Sequence, residues 1–152
     1  MESGKFYMEL KNTVHSAGYN YAGVSYSSPD AASDWLGNNS YSWGYRTDGK
    51  VYNGASLQAT YSSFTTNDII GVALDMDNNK LYFSKNGTWQ ESGDPTSGST
   101  GTGAISITAV GSTPLENYFF AQASIDLHRA EAEAYAENLQ SSDPSIYIVR
   151  NH

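Results

Sequence analysis

The sequence predicts an all-β, antiparallel protein with a single α-helix near the C-terminus, and three observations carry the β prediction. Short runs alternate apolar and polar side chains with period two, most clearly in DIIGVALDMDNNKLYFSKNG, from Asp68 to Gly87. Aromatic residues reach 13% with twelve Tyr, and Gly, Ser, Thr and Asn crowd the segments between the apolar runs, a make-up suited to strands and many turns. Asp48-Gly49, Asn53-Gly54 and Asn86-Gly87 are dipeptides that supply the positive φ tight turns need. With 152 residues the chain has the size of one domain with one core, expected over residues 1–124 and followed by a tail over 125–152.

The elements follow in order. Phe6, Met8 and Leu10 point one way and Tyr7, Glu9 and Lys11 the other, so the first strand is half-buried. Asn20 to Tyr26 is a second strand, in which Gly23 admits the close approach of another backbone. A polar loop, Ser27 to Asn39, contains Pro29 and Trp35 and leads to a short aromatic strand from Tyr41 to Tyr45. Val51-Tyr52 and Leu57 to Tyr61 supply two further strands. In the central hairpin Ile70, Val72 and Leu74 alternate with Ile69, Gly71 and Ala73, a strand buried on both faces with its small residues on the crowded one. Leu74 and Phe83 belong to the buried side, and Tyr82 to the less buried side.

Gln90 to Gly103, QESGDPTSGSTGTG, holds almost no apolar residue and reads as an exposed, mobile loop that folding does not need. Alternation resumes at Ala104 to Val110 and Asn117 to Ala123, with Ile105, Ile107, Tyr118 and Phe120 as core candidates. Ile125 to Gln140 is rich in Ala, Glu and Leu and predicts a helix, whose apolar stripe includes Tyr135 and Leu139. Ser145 to Arg150 alternates Ile146 and Ile148 with Tyr147 and Val149, as a terminal strand would. Tyr135, Leu139, Ile146 and Ile148 are thus candidate docking residues for a homo-oligomer or a neighbouring protein.

Three stretches carry a family resemblance. SGKFYMEL, LGNNSYSWGYRTDGKVYNG and NDIIGVALDMDNNKLYFSKNG resemble, in the same order, the opening strand, middle segment and central hairpin of the SPRY family. The resemblance implies a bent antiparallel β-sandwich of concanavalin-like jelly-roll type and a non-enzymatic protein-binding module with no cofactor. Family members usually have a strand before the first motif and end near an Asn-Phe-Gly strand. The absence of both motifs here predicts sheet edges that a neighbour or the tail covers. The stretch from Asn86 to Gly103 is similar to the Gly/Thr-rich insertion of SPRY-like domains in bacteriophage structural proteins. The expected setting is therefore a phage virion, as a fibre, decoration or appendage bound to a virion protein or a host surface receptor. The alternatives are a cytoplasmic adaptor that recruits a protein and a lectin-like glycan binder.

Composition narrows the function classes. Eight basic against sixteen acidic residues give a net charge of −8, which repels phosphate backbones and anionic membranes and argues against a nucleic-acid binder. No apolar stretch approaches the length of about 18 residues that a membrane helix needs. With no Cys and three scattered His, neither a thiolate site, a catalytic triad nor a zinc site is expected. Asp75, Asp77 and Asn79 imitate the start of a calcium loop, but Lys80 and Asn86 stand where its Gly and Glu belong, so a plain turn and no metal is the reading. Trp35, Trp43, Tyr45, Arg46 and Trp89 are the candidate contact residues, because Trp, Tyr and Arg dominate binding hot spots. Trp35 and Trp89, beside polar loops, are the two expected to be exposed.

Overall fold

Alternation generates ten strands, and in the computed structural model they pair into two antiparallel sheets; the structure describes residues 1, 3–13, 19–26, 35–109 and 118–124. The strands are β1 (Lys5–Lys11), β2 (Asn20–Ser25), β3 (Ser42–Arg46), β4 (Lys50–Asn53), β5 (Ser56–Thr60), β6 (Ile69–Asp75), β7 (Lys80–Lys85), β8 (Thr88–Trp89), β9 (Ile105–Ser106) and β10 (Phe119–Ser124). The first sheet runs β1-β6-β7-β8, with β9 also on β7, and the second runs β10-β2-β3-β4-β5. The expected helix from Ile125 to Gln140 and the strand from Ser145 lie outside the described residues, as do Tyr135, Leu139, Ile146 and Ile148.

The sheets pack face to face through one alternate set of each strand's side chains. The first sheet contributes Met8, Leu10, Ile70, Val72, Leu74, Leu81 and Phe83, and the second contributes Ala22, Val24, Trp43, Tyr45, Val51 and Phe120. Ile105, Ile107, Tyr118 and Phe120 are all buried, as the alternation predicts. The Asn86-Gly87 turn after β7 has φ of 49° and 80°, the positive values for which that dipeptide is suited.

The outer face of the first sheet corrects two expectations. By register Tyr7, Ala73 and Tyr82 form one row there, and Glu9, Gly71, Ser84 and Trp89 the next. Tyr82, expected on the less buried side, is 1% exposed, as buried as Phe83 behind it. The segment after β8 is its cover and is fixed in place. Two 3-10 turns, Gln90–Ser92 and Gly98–Thr100, are tied together by Asp94, whose Oδ1 accepts from Thr96 N–H at 2.9 Å and whose N–H donates to Thr102 O at 3.0 Å. Ser97 Oγ lies 3.2 Å from the Tyr82 hydroxyl and accepts from Thr102 N–H at 3.0 Å. Lys5 Nζ donates to Pro95 O at 3.3 Å. A segment without apolar side chains can therefore bury an aromatic ring, since its own backbone is satisfied by Asp, Ser and Thr.

The Asp75 to Asn79 turn spends its oxygens internally. Asp75, whose side chain is 2% exposed, receives Lys5 Nζ at 2.9 Å, Asn78 N–H at 3.1 Å and Asn78 Nδ2 at 3.0 Å, and Asp77 Oδ1 accepts from Gly4 N–H at 2.8 Å. Burial pushes the Asp75 carboxyl up, but the Asn78 and Lys5 contacts outweigh it and hold it below the ordinary value. Asp68, bonded by Asn86 and Thr65, is lowered in the same sense. A carboxylate with a depressed folded pKa stabilises the fold above its unfolded value, about 3.9, and loses that contribution as pH falls through the folded value. The thermal midpoint should therefore be level from about pH 5.5 to 8 and fall below about pH 4. Asp75→Asn should lower the plateau and flatten the fall, which a pH series of melting curves would read.

Candidate partner-binding face

The outer face of the second sheet is built around a glycine row. Gly23, Gly44, Tyr52 and Leu57 stand opposite one another across β2, β3, β4 and β5, with Tyr21 opposite Arg46 in the next row. The two glycines are required by close approach: a Cβ on Gly23 would meet Trp43 O at 1.8 Å, and one on Gly44 would meet Leu36 O at 2.3 Å. The segment Trp35–Leu36–Gly37 fills that space and is pinned where Gly37 N–H donates to Ser42 Oγ at 2.8 Å. Leu36 is buried with Tyr21 and Ala121, and Trp35 packs on that small cluster. The Trp35 indole stacks on Tyr21 at 5.7 Å and meets Tyr52 edge-on at 5.2 Å.

Arg46 completes the face from the centre. Its Nε and one terminal nitrogen donate to the two oxygens of Asp48 at 2.9 and 2.6 Å, and the same nitrogen reaches the Tyr52 hydroxyl at 3.2 Å. Its guanidinium carbon lies 4.3 Å from the Tyr19 ring centre and 4.8 Å from that of Tyr52. The forked pairing with Arg46 holds the Asp48 carboxyl below its ordinary value, and burial raises the Tyr21 phenol. A bidentate pair combined with two ring contacts uses Arg46 as a strut, with its donors spent inside the cluster and its role the placement of the tyrosines. Outward the face presents aromatic and aliphatic surface. Leu57, at 54%, and Tyr19, at 43%, are the exposed large hydrophobics among the described residues, and both belong to this face.

The five sequence candidates separate three ways. Trp35 and Arg46 come together here, half-buried, through Tyr21 and Tyr52. Trp89, also half-buried, lies on the other sheet with Tyr7 at 6.1 Å and Tyr82 at 6.4 Å. Trp43 and Tyr45 must be corrected: at 3% and 0% exposure they are core. Period two contains the reason, since Tyr45 and Arg46 are neighbours on one strand and cannot share a face. The sequence reading missed Tyr19, Tyr21, Asp48, Tyr52 and Leu57. The spacing Tyr19-x-Tyr21 and the antiparallel reach from Arg46 to Tyr52 across the Asp48-Gly49 turn were the signals available.

Residues 5–105 match the SPRY domain family, and residues 106–152 match a family described as protein of unknown function (DUF3305). Over 54 residues, 35% of this chain, the sequence is 41% identical to the dual specificity protein kinase splA of Dictyostelium discoideum, a stretch that makes up 2% of that kinase. The crystal structure of the SPRY domain of human HERC1 aligns with a TM-score of 0.49 and 29% identity, covering 59% of this chain and 57% of that one.

Proposed function

We propose that this chain, which belongs to the SPRY domain family, is a non-catalytic module that binds another protein through the outer face of its second sheet. SPRY domains are generally protein-interaction modules, and the observation that carries the reading here is the Tyr19–Arg46–Tyr52–Trp35 cluster. Aromatic side chains held rigid by a buried-edge Arg–Asp fork are the chemistry of a binding hot spot, because little rotamer freedom is left to lose on contact. The setting in this proposal is a phage virion, where the chain serves as a fibre, decoration or appendage domain fixed to a virion protein or offered to a host surface receptor. The likeness of Asn86 to Gly103 to phage insertions supports it. A second setting, a cytoplasmic adaptor, is favoured by the 41% identity to part of a cellular kinase. Capsid or tail genes beside the coding gene would support the first setting, and their absence the second.

Selection of displayed random octapeptides on the full chain tests the face itself. Binders should weaken at least about thirtyfold with Arg46→Ala, a hot-spot loss of about 2 kcal/mol. Arg46→Lys should not restore them, because an ammonium cannot make the fork and hold two rings. Binders indifferent to Arg46, Trp35 and Tyr52 would place the contact surface elsewhere. A sugar-specific glycan-array signal abolished by Trp35→Ala would replace the protein-binding reading with a lectin.

A further inference from the structure

Three of the outer edges of the two sheets, β1, β10 and β5, are not alike. On β1 the edge carries Lys5, Glu9 and Lys11, charges that discourage a further strand. The edge of β10 is occupied where it begins, because the Met1 ammonium donates to Tyr118 O at 3.1 Å and Met1 O accepts from Tyr118 N–H at 3.3 Å. The strand β5, Ser-Leu-Gln-Ala-Thr, has neither charge nor proline. Among the described residues it pairs with β4 alone, and Ser56, Leu57, Gln58 and Thr60 are exposed.

Resting on the binding-module reading, we infer that β5 receives an extended segment of the partner by strand addition, so that the peptide backbone and the aromatic face act together. Register makes the two continuous. Leu57 stands opposite Tyr52, so a partner side chain beside Leu57 falls in line with Leu57, Tyr52 and the Trp35 edge that Tyr52 meets. The register shift at Val51/Tyr52 pairs Val51 with Ala59 and Tyr52 with Leu57, leaving Gln58 as an extra residue whose amide nitrogen donates back to Ser56 O at 3.2 Å. That bulge bends the edge and keeps the added ladder short. Backbone pairing then supplies register and direction, and the apolar contact with Leu57 and Tyr52 supplies much of the affinity. The partner's chemistry follows: an extended, proline-free, uncharged segment with an apolar residue beside Leu57. Beyond the Thr60 end, Ser62 N–H donates to Gln90 Oε1 at 3.0 Å, which sets exposed Glu91 there and favours a basic flanking residue, in keeping with the net charge of −8.

The octapeptides selected on the full chain, made synthetically, are the probe. Amide exchange at Gln58 to Thr60 should slow on binding, and N-methylation of every second peptide residue should weaken binding by about tenfold or more, with the intervening positions tolerant. Leu57→Asp should reduce binding while leaving the melting curve in place. Peptides that depend on Arg46 and Trp35 but tolerate N-methylation throughout, with β5 exchange unchanged, would overturn strand addition and leave the binding face standing. Failure to select any binder would overturn both. A dimer of the full chain at micromolar concentration, with β5 protected before peptide is added, would assign the edge to a second copy and overturn the inference.

Discussion

Tyr45→Ala is expected to lower the unfolding free energy by about 3–5 kcal/mol, the range for losing a large aromatic side chain from a packed core. Tyr45 is fully buried between the sheets, with ring centres of Phe64 at 5.0 Å, Phe83 at 5.3 Å and Tyr61 at 5.4 Å, all three meeting it edge-on. Its hydroxyl donates to Ser62 O, so truncation leaves both a cavity and an unpaired carbonyl beneath the strand connection. Tyr45→Phe removes the hydrogen bond alone and should cost about 1 kcal/mol. For a domain of this size the Ala variant should melt roughly 10 °C or more below the parent. The decisive comparison is with Arg46→Ala. Per folded molecule, Tyr45→Ala should bind the selected peptides as the parent does, whereas Arg46→Ala should lose them. If Tyr45→Ala left urea midpoints unchanged and abolished binding instead, the core assignment of Tyr45 would be wrong.

The contrast between those neighbours shows what residue patterns convey. Alternation alone located the strands of the central hairpin, the inward set Met8, Leu10, Val72, Leu74 and Phe83, and the glycine at 23 that lets β3 come close. It did so because burial of one face is a local, period-two property. The binding face was only half legible for the opposite reason. Arg46 and Tyr52 meet through the turn at Asp48-Gly49, Trp35 arrives next to Leu36, which lies over Gly44, and Tyr19 enters from just before β2, so the cluster depends on the order of strands in the sheet. Residue type pointed to Trp35 and Arg46, while facing excludes Trp43 and Tyr45. The order of strands was implied by the SPRY resemblance, but partners such as Tyr19 and Leu57 needed the register itself.

The cover over Tyr82 escaped the sequence because its bonds run among polar residues, and it leads to the second large effect. Tyr82→Ala should cost about 3–5 kcal/mol, on a par with Phe83→Ala. Both residues are 1% exposed, on opposite faces of β7. Phe83 faces the inter-sheet core with Val72, and Tyr82 faces the segment whose Gly93 would place a Cβ 3.4 Å from its ring and whose Ser97 meets its hydroxyl. Equal costs should have different local consequences. Removing Phe83 empties the space between the sheets, whereas removing Tyr82 takes away the floor on which the turns at Gln90–Ser92 and Gly98–Thr100 rest. Limited proteolysis under native conditions should therefore cut Tyr82→Ala between Pro95 and Gly103 well before global unfolding, and should cut Phe83→Ala there no faster than its overall stability dictates. A Tyr82→Ala variant with a near-parental urea midpoint would return the segment to the status of a loose surface loop.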